Sequence, residues 1–242
     1  MNIFVTGISK GLGLETARIA LLRGMTVYGV SRSMTTELEQ LMAEFPVTLK
    51  WMALDLAKDD LDVRKVLFKS DFISNSVPLH GFVNNAAIAY DDIVTNLNQD
   101  RLTQMFKVNV FMPMMITKYA IRNMIFNRIK GSIVHLSSIS VHTGYKGLAM
   151  YAGSKGALEG FSKNTAREWG EQGVRSNCLV AGFMETNMSS TLSTDQKNRI
   201  YNRTSMKKPT TLQSVAETIL FLLGDGAESI TGQNIHVDSG TI

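Results

Sequence analysis

The first thirteen residues restrict the fold more than any other stretch. Asn2-Ile-Phe-Val-Thr6 is a short apolar run of strand type, Gly7-Ile8-Ser9-Lys10-Gly11-Leu12-Gly13 follows it, and Leu14 to Leu22 has helical periodicity. A strand, a glycine turn and a helix in that order bring backbone N–H groups and the positive end of a helix together, an arrangement that suits a pyrophosphate. The spacing is T-G-x-x-x-G-x-G, which differs from G-x-G-x-x-G, the commonest dinucleotide fingerprint.

The remaining chain repeats this alternation. Strands are expected at Thr26–Ser31, Leu49–Leu54, Leu79–Val83, Gly131–Ser137, Gly173–Ala181 and Gln233–Asp238. Between them lie a mixed helical stretch from Ala57 to Phe72 and helices at Asn98 to Asn127, Met150 to Gln172 and Leu212 to Leu223. Strands alternating with helices predict a single doubly wound α/β domain of Rossmann type over residues 1–242, with a seven-stranded parallel sheet and helices on both faces. One stretch breaks the rhythm. From Gly182 to about Pro209 the chain is polar and carries Met184, Met188 and Met206, which predicts a substrate lid at about 183–210. The methionines of the Asn98 to Asn127 helix are expected to be core or helix-packing residues and not a substrate groove.

Composition removes several function classes. Lys and Arg exceed Asp and Glu by 25 to 21 and are scattered, so the formal charge of +4 points to a small anion and not to nucleic acid. Cys178 is the single cysteine and has no partner for an internal disulfide. His80, His135, His142 and His236 are dispersed without ligand spacing, so no metal is expected. The longest apolar runs, such as Phe111 to Ile116, are too short to span a bilayer, and no signal-type segment stands at Met1. A soluble, cytoplasmic protein is expected.

Chemistry gathers between Ser138 and Lys155. Tyr151 and Lys155, four apart on a helical pattern, share one face, and a neighbouring ammonium would lower a phenol's pKa toward working pH. Ser138 ends an apolar strand, where open α/β sheets place ligands, and its hydroxyl can bond the same substrate oxygen as Tyr151. Asp55-Leu56 and Asn84-Asn85-Ala86-Ala87 close the third and fourth strands on the same edge. After the second strand stands Ser31-Arg32, where an acidic residue would grip the two ribose hydroxyls of NAD. Together Arg32 and Lys10 offer two cations to a 2′-phosphate, which favours NADP; the plainer alternative is a pair of solvated surface cations.

With these residues in hand, the chain resembles the short-chain dehydrogenase/reductase family over nearly its whole length, with the look of the 3-oxoacyl-acyl-carrier-protein reductases. Thr6-Gly7 through Gly11 and Gly13 resemble its cofactor loop, with Ser9, Lys10 and Leu12 inside it. Asp55 and Leu56 resemble its adenine contact, and Asn84-Asn85-Ala86 most of its Asn-Asn-Ala-Gly motif. Asn109, Ser138, Tyr151 and Lys155 match its catalytic tetrad in order and spacing, and Thr186 matches the residue that bonds the carboxamide. The resemblance implies an NADP(H)-dependent reduction of a ketone. Tyr151 would be the general acid, Lys155 would bind the nicotinamide ribose, Ser138 would orient the carbonyl, and Asn109 would hold a relay water through its backbone in a kinked helix. The substrate would be a 3-oxoacyl thioester or similar small ketone, carrier-bound or free. The alternatives are a sugar or secondary-metabolite alcohol, or a non-catalytic cofactor sensor. A homodimer or homotetramer built on the two long helices is also implied. Ala87 and Ala181 replace a glycine and a proline of the family pattern. Gln172 stands where a basic residue usually docks the acidic carrier, although Arg128, Lys130, Arg167 and Arg175 surround it.

Overall fold

The computed structural model describes residues 1–186 and 192–242. Strand β1 (Asn2–Thr6) leads through the glycine turn into α1 (Gly11–Leu22), then β2 (Thr26–Ser31), α2 (Thr36–Glu44) and β3 (Leu49–Ala53). A π-type turn at Arg64–Phe68 precedes β4 (Gly81–Asn84), α3 (Gln99–Phe106), a second π-type segment at Lys107–Phe111, and α4 (Met112–Phe126). Then come β5 (Ser132–Ser138), short α5 (Ser140–Thr143), α6 (Ala149–Trp169), β6 (Arg175–Ala181), α7 (Thr194–Tyr201), α8 (Leu212–Leu223) and β7 (Asn234–Val237).

The seven strands lie in the order β3-β2-β1-β4-β5-β6-β7, and every neighbouring pair is parallel. This is the doubly wound Rossmann-type sheet. Strand order reverses between β1 and β4, so the crevice at their carboxyl ends is where such a sheet takes a ligand. Because side chains alternate across a strand, Ile3 and Val5 join one core with α1 and α8, whereas Phe4 joins the other with Ile116, Ala120 and Ile121 of α4.

Two expected helices differ. The mixed stretch from Ala57 to Phe72 forms only the π-type turn at Arg64–Phe68. Polar side chains compete for its backbone: the Asp55 carboxylate accepts the Ala57 N–H, that of Asp62 accepts the Lys65 N–H, and the Ser70 hydroxyl donates to the Val66 carbonyl. The long helix expected from Asn98 to Asn127 begins with Asn98 as its cap, accepting the Arg101 N–H at 2.9 Å, but is broken by the π-type segment at Lys107–Phe111. Pro113 is the cause. It has no N–H to offer the carbonyl four residues back, which belongs to Asn109. There the Met112 N–H reaches the Lys107 carbonyl, five residues back.

In the insertion after β6, α7 starts at a capping box in which Ser193 and Gln196 exchange bonds. The Glu185 carboxylate, next to Thr186, accepts from the Tyr201 hydroxyl at 2.7 Å and from Lys197 at 3.4 Å. Met188 lies outside the described residues. Among the described residues no helix is long and apolar enough to cross a membrane.

Candidate active site

Thr6, the last residue of β1, joins the two strand ends that flank the switch point. Its hydroxyl accepts the N–H groups of Asn85 at 3.1 Å and Ala86 at 3.0 Å. Asn85 answers through its amide, which donates to the Thr6 and Gly7 carbonyls at 2.9 and 3.1 Å. Gly7 and Gly11 take the left-handed conformation, with φ of +76° and +58°. Gly13 is required for a different reason: a Cβ there would stand 2.1 Å from the Gly7 carbonyl oxygen, a backbone atom that cannot swing away. Gly13→Ala therefore forces the turn apart, and we expect cofactor affinity to fall by about tenfold or more, a loss of at least ~1.4 kcal/mol. Titration of the variant by cofactor fluorescence checks this; wild-type affinity would refute it.

An open cleft of about 370 Å³ runs along this edge. Gly7, Ser9, Lys10, Gly11 and Leu12 line it from the turn, and Arg32 from the end of β2. Further along, Asp55 and Leu56 line it after β3, and Asn85 and Ala86 after β4. Tyr151 and Lys155 of α6 and Thr186 beyond β6 complete the expected set on its walls. Gly13 packs beneath the turn, Asn109 is fully buried, and Ser138 is half-buried at the end of β5. Ala87 and Ala181 also line the cleft, so both departures from the family pattern fall at the site itself.

The cradle fits a dinucleotide. Lys10 and Arg32 are exposed, and neither has a carboxylate partner among the described residues. Sequence reading missed Ser33 and Thr35, which line the cleft beside Arg32. Thr35 donates to the Ser9 carbonyl at 2.6 Å and caps α2 by accepting the Leu38 N–H at 3.3 Å. Its position ahead of the acidic first turn Glu37-Leu-Glu39 was the available signal.

Tyr151 and Lys155 lie one turn apart on α6, as their spacing requires. Lys155 is only 2 % exposed, and its ammonium donates to the Leu136 carbonyl of β5 at 2.8 Å. Burial lowers its pKa to about 8. The Lys155 nitrogen sits 5.7 Å from the centre of the Tyr151 ring. The Tyr151 hydroxyl differs from expectation: burial, with a smaller contribution from Asp91, pushes its pKa up to about 12. Desolvation of the phenolate outweighs any attraction to the cation. At neutral pH Tyr151 is a protonated phenol.

Ser138 accepts two bonds from Ser140, from its N–H at 3.2 Å and its hydroxyl at 3.0 Å. Its own proton is thereby left to donate into the site. The Asn109 side chain does not face the cleft; it accepts the Ile88 N–H and donates to the Ile88 carbonyl, both at 2.9 Å, and donates to Ser154 at 3.1 Å. It fastens the π-type segment to α6 and to the chain after β4. A protonated phenol and a buried amine thus share the wall of the cleft that the glycine turn lines, and the Ser138 hydroxyl stands at the end of β5, equipment suited to proton transfer at a carbonyl oxygen.

A family model described as enoyl-(acyl carrier protein) reductase matches residues 7–241. The chain belongs to the short-chain dehydrogenase/reductase family. It is an oxidoreductase, and this family works with nicotinamide cofactors. The chain is 31 % identical over 241 residues to the L-xylulose reductase of Caenorhabditis elegans, covering 99 % of this chain and 94 % of that one. It is 30 % identical over 236 residues to the 3-oxoacyl-acyl-carrier-protein reductase of Escherichia coli (strain K12), covering 98 % and 95 %. A solved short-chain dehydrogenase/reductase family protein superposes with a TM-score of 0.87 at 26 % identity, covering 99 % and 96 %.

One cation expected near the carrier position is used elsewhere. The Arg175 guanidinium donates to the carbonyls of Leu222 at 2.7 Å and Gly224 at 3.1 Å, closing the C-terminal end of α8. Arg128, Lys130 and Arg167 are exposed, and the Lys130 side chain packs against Gly173, next to Gln172.

Proposed function

We propose that this oxidoreductase uses NADPH to reduce a ketone to a secondary alcohol, with a 3-oxoacyl thioester or a similar small ketone as substrate. The observation that carries the reading is the Tyr151 phenol, with Lys155 beside it, on the wall of the cleft that holds the glycine turn. Reduction consumes a proton at the carbonyl oxygen, and Tyr151 holds one throughout the physiological range. Ser138 donates its free hydroxyl proton to the same oxygen and fixes the carbonyl's orientation. Lys155, poised near pH 8, returns a proton toward Tyr151 after turnover and offers an ammonium to a ribose hydroxyl. Asn109 contributes through its backbone, since Pro113 withdraws the N–H that an α-helix would give to its carbonyl. The cofactor, when bound, supplies the hydride.

Lys10 and Arg32 support NADPH over NADH, with the Ser33 hydroxyl beside them as a donor. We expect Arg32→Asp to reverse the preference, because a charge-assisted contact worth about 1.5–3 kcal/mol gives way to repulsion. Titration of both nucleotides checks it, and equal affinity of the wild type for the two would remove the assignment. The functional reading itself is tested by NADPH oxidation across 3-oxoacyl thioesters, simple ketones and keto-sugars. Turnover confined to keto-sugars would favour the second reading, a sugar reductase, to which the xylulose reductase relative points. The proposal carries with it a reducing, cytoplasmic setting in which buried Cys178 stays a thiol, residues 183–210 as the substrate lid, and a dimer or tetramer.

A further inference from the structure

Two turns beyond Tyr151 on α6 stands a carboxylate that the chemistry above does not use. Glu159 is 7 % exposed and faces three elements at once. One oxygen accepts the Ser137 hydroxyl of β5 at 2.5 Å and lies 3.1 Å from Nε2 of His142 in α5. Its other oxygen accepts the Asn234 side-chain amide of β7 at 2.7 Å. An ionised carboxylate only accepts, so Nε2 of His142 must carry the hydrogen of that contact. A buried carboxylate with three donors is well satisfied, whereas the same donors around an apolar side chain would all be left bare.

We propose that Glu159 is a positioning residue for Ser138, acting through Ser137 and His142; the catalytic part rests on the reductase reading. Ser138 is held from two sides. Before it, Ser137 is tied to α6, the helix that carries Tyr151 and Lys155. After it, α5 is tied to the same carboxylate through His142. The Ser138 hydroxyl therefore inherits its direction from Glu159, and the distance between hydroxyl and phenol is fixed by one side chain anchored on the phenol's own helix. A misplacement of the order of 1 Å is enough to cost about 10²-fold in rate.

Asn234 supplies a control. Its side-chain oxygen is buried without a partner among the described residues. In Glu159→Gln the new amide can face Asn234 after that side chain turns over, and the remaining oxygen still accepts from Ser137 and His142. Glu159→Leu offers no such repair. With NADPH and acetoacetyl-coenzyme A, we expect Glu159→Leu to lose about tenfold or more in kcat, with both KM values within about threefold, and Glu159→Gln to stay within about threefold of wild type. Ser137→Ala should lose a similar factor, and the double variant no more than the larger single loss, because the two act through one contact. Hydrogen exchange supplies a readout apart from turnover: the amides of Ile139 and Ser140 should open faster in Glu159→Leu, with β1 and β4 unchanged.

A purely structural carboxylate would lower the melting temperature while leaving kcat intact well below it, and that result overturns the proposal. So does additivity of the two losses, or unchanged exchange at Ile139 and Ser140. If Glu159→Leu does not fold, an unaltered kcat in Ser137→Ala is decisive against it. Should the wild type fail to reduce acetoacetyl-coenzyme A, the 3-oxoacyl reading falls, and the exchange rates alone then decide whether Glu159 holds this corner.

Discussion

Tyr151→Phe is expected to lower kcat by about 10²–10⁴ while NADPH affinity stays within about twofold, because the change deletes one oxygen and leaves the cleft's shape. On the proposed reading the phenol, its pKa pushed up to about 12, is the proton source, and removing its oxygen takes the donor away. Steady-state rates with the best ketone of the substrate screen, set beside nucleotide titration, measure the two halves. Retained turnover would mean that water or another group protonates the alkoxide, and the assignment of Tyr151 would be lost.

Lys155→Met is expected to separate stability from activity. An ammonium buried at 2 % exposure, with a pKa lowered from 10.5 to about 8, destabilises the folded chain by on the order of 3 kcal/mol wherever it is charged. The sign follows from proton counts. Below pH 8 both folded and unfolded chains hold the proton, and the folded state carries the whole penalty. Between about 8 and 10.5 the unfolded chain binds more protons than the folded one, so stability rises with pH; above 10.5 the penalty is gone. Methionine fills similar space without a charge, at the loss of one charge-assisted bond to the Leu136 carbonyl worth about 1.5–3 kcal/mol. The variant should therefore melt at or a few degrees above wild type at neutral pH, and compare less favourably toward about pH 10, while turnover falls by about 10³ or more. Melting curves of the cofactor-free proteins at the two pH values check it. A variant that melts lower at neutral pH would show that Lys155 is a stabilising contact and not a strained one.

What was legible in the sequence was local. The strand, glycine turn and helix of residues 2–22 sit within one supersecondary unit, and Tyr151 and Lys155 are brought together by helix geometry alone, so spacing was sufficient for both. The cofactor edge was legible because strand ends in a parallel sheet share one side, which put Arg32, Asp55 and Asn85 in the same cleft. Pairings between distant residues were not legible. Lys155 bonds a carbonyl 19 residues away, and the burial that raises the Tyr151 pKa where a lowering was expected likewise comes from the packing. Asn234 reaches Glu159 across 75 residues, and Arg175 is drawn to the end of α8 across 47. In each case the sequence showed a polar side chain and left its partner to the packing of the sheet. Pro113 is the exception, since its effect on the carbonyl four residues earlier could have been read directly from the chain.

The interruption at Lys107–Phe111 also sets the phase of the rod it divides. Each residue of an α-helix advances about 100°, and a π-type turn takes up one residue more than the α pitch, so everything after it is rotated by about that angle. Met105, before the slip, packs with Tyr90 and Met150 near the site, whereas Ile116, Ala120, Ile121 and Met124, after it, pack under the sheet with Phe4 and Phe82. A single continuous rod thus belongs to two cores whose apolar stripes need not line up. Along residues 99–126, tolerance to polar replacement should follow two helical waves offset by roughly a quarter turn, with Asn109 at the node between them.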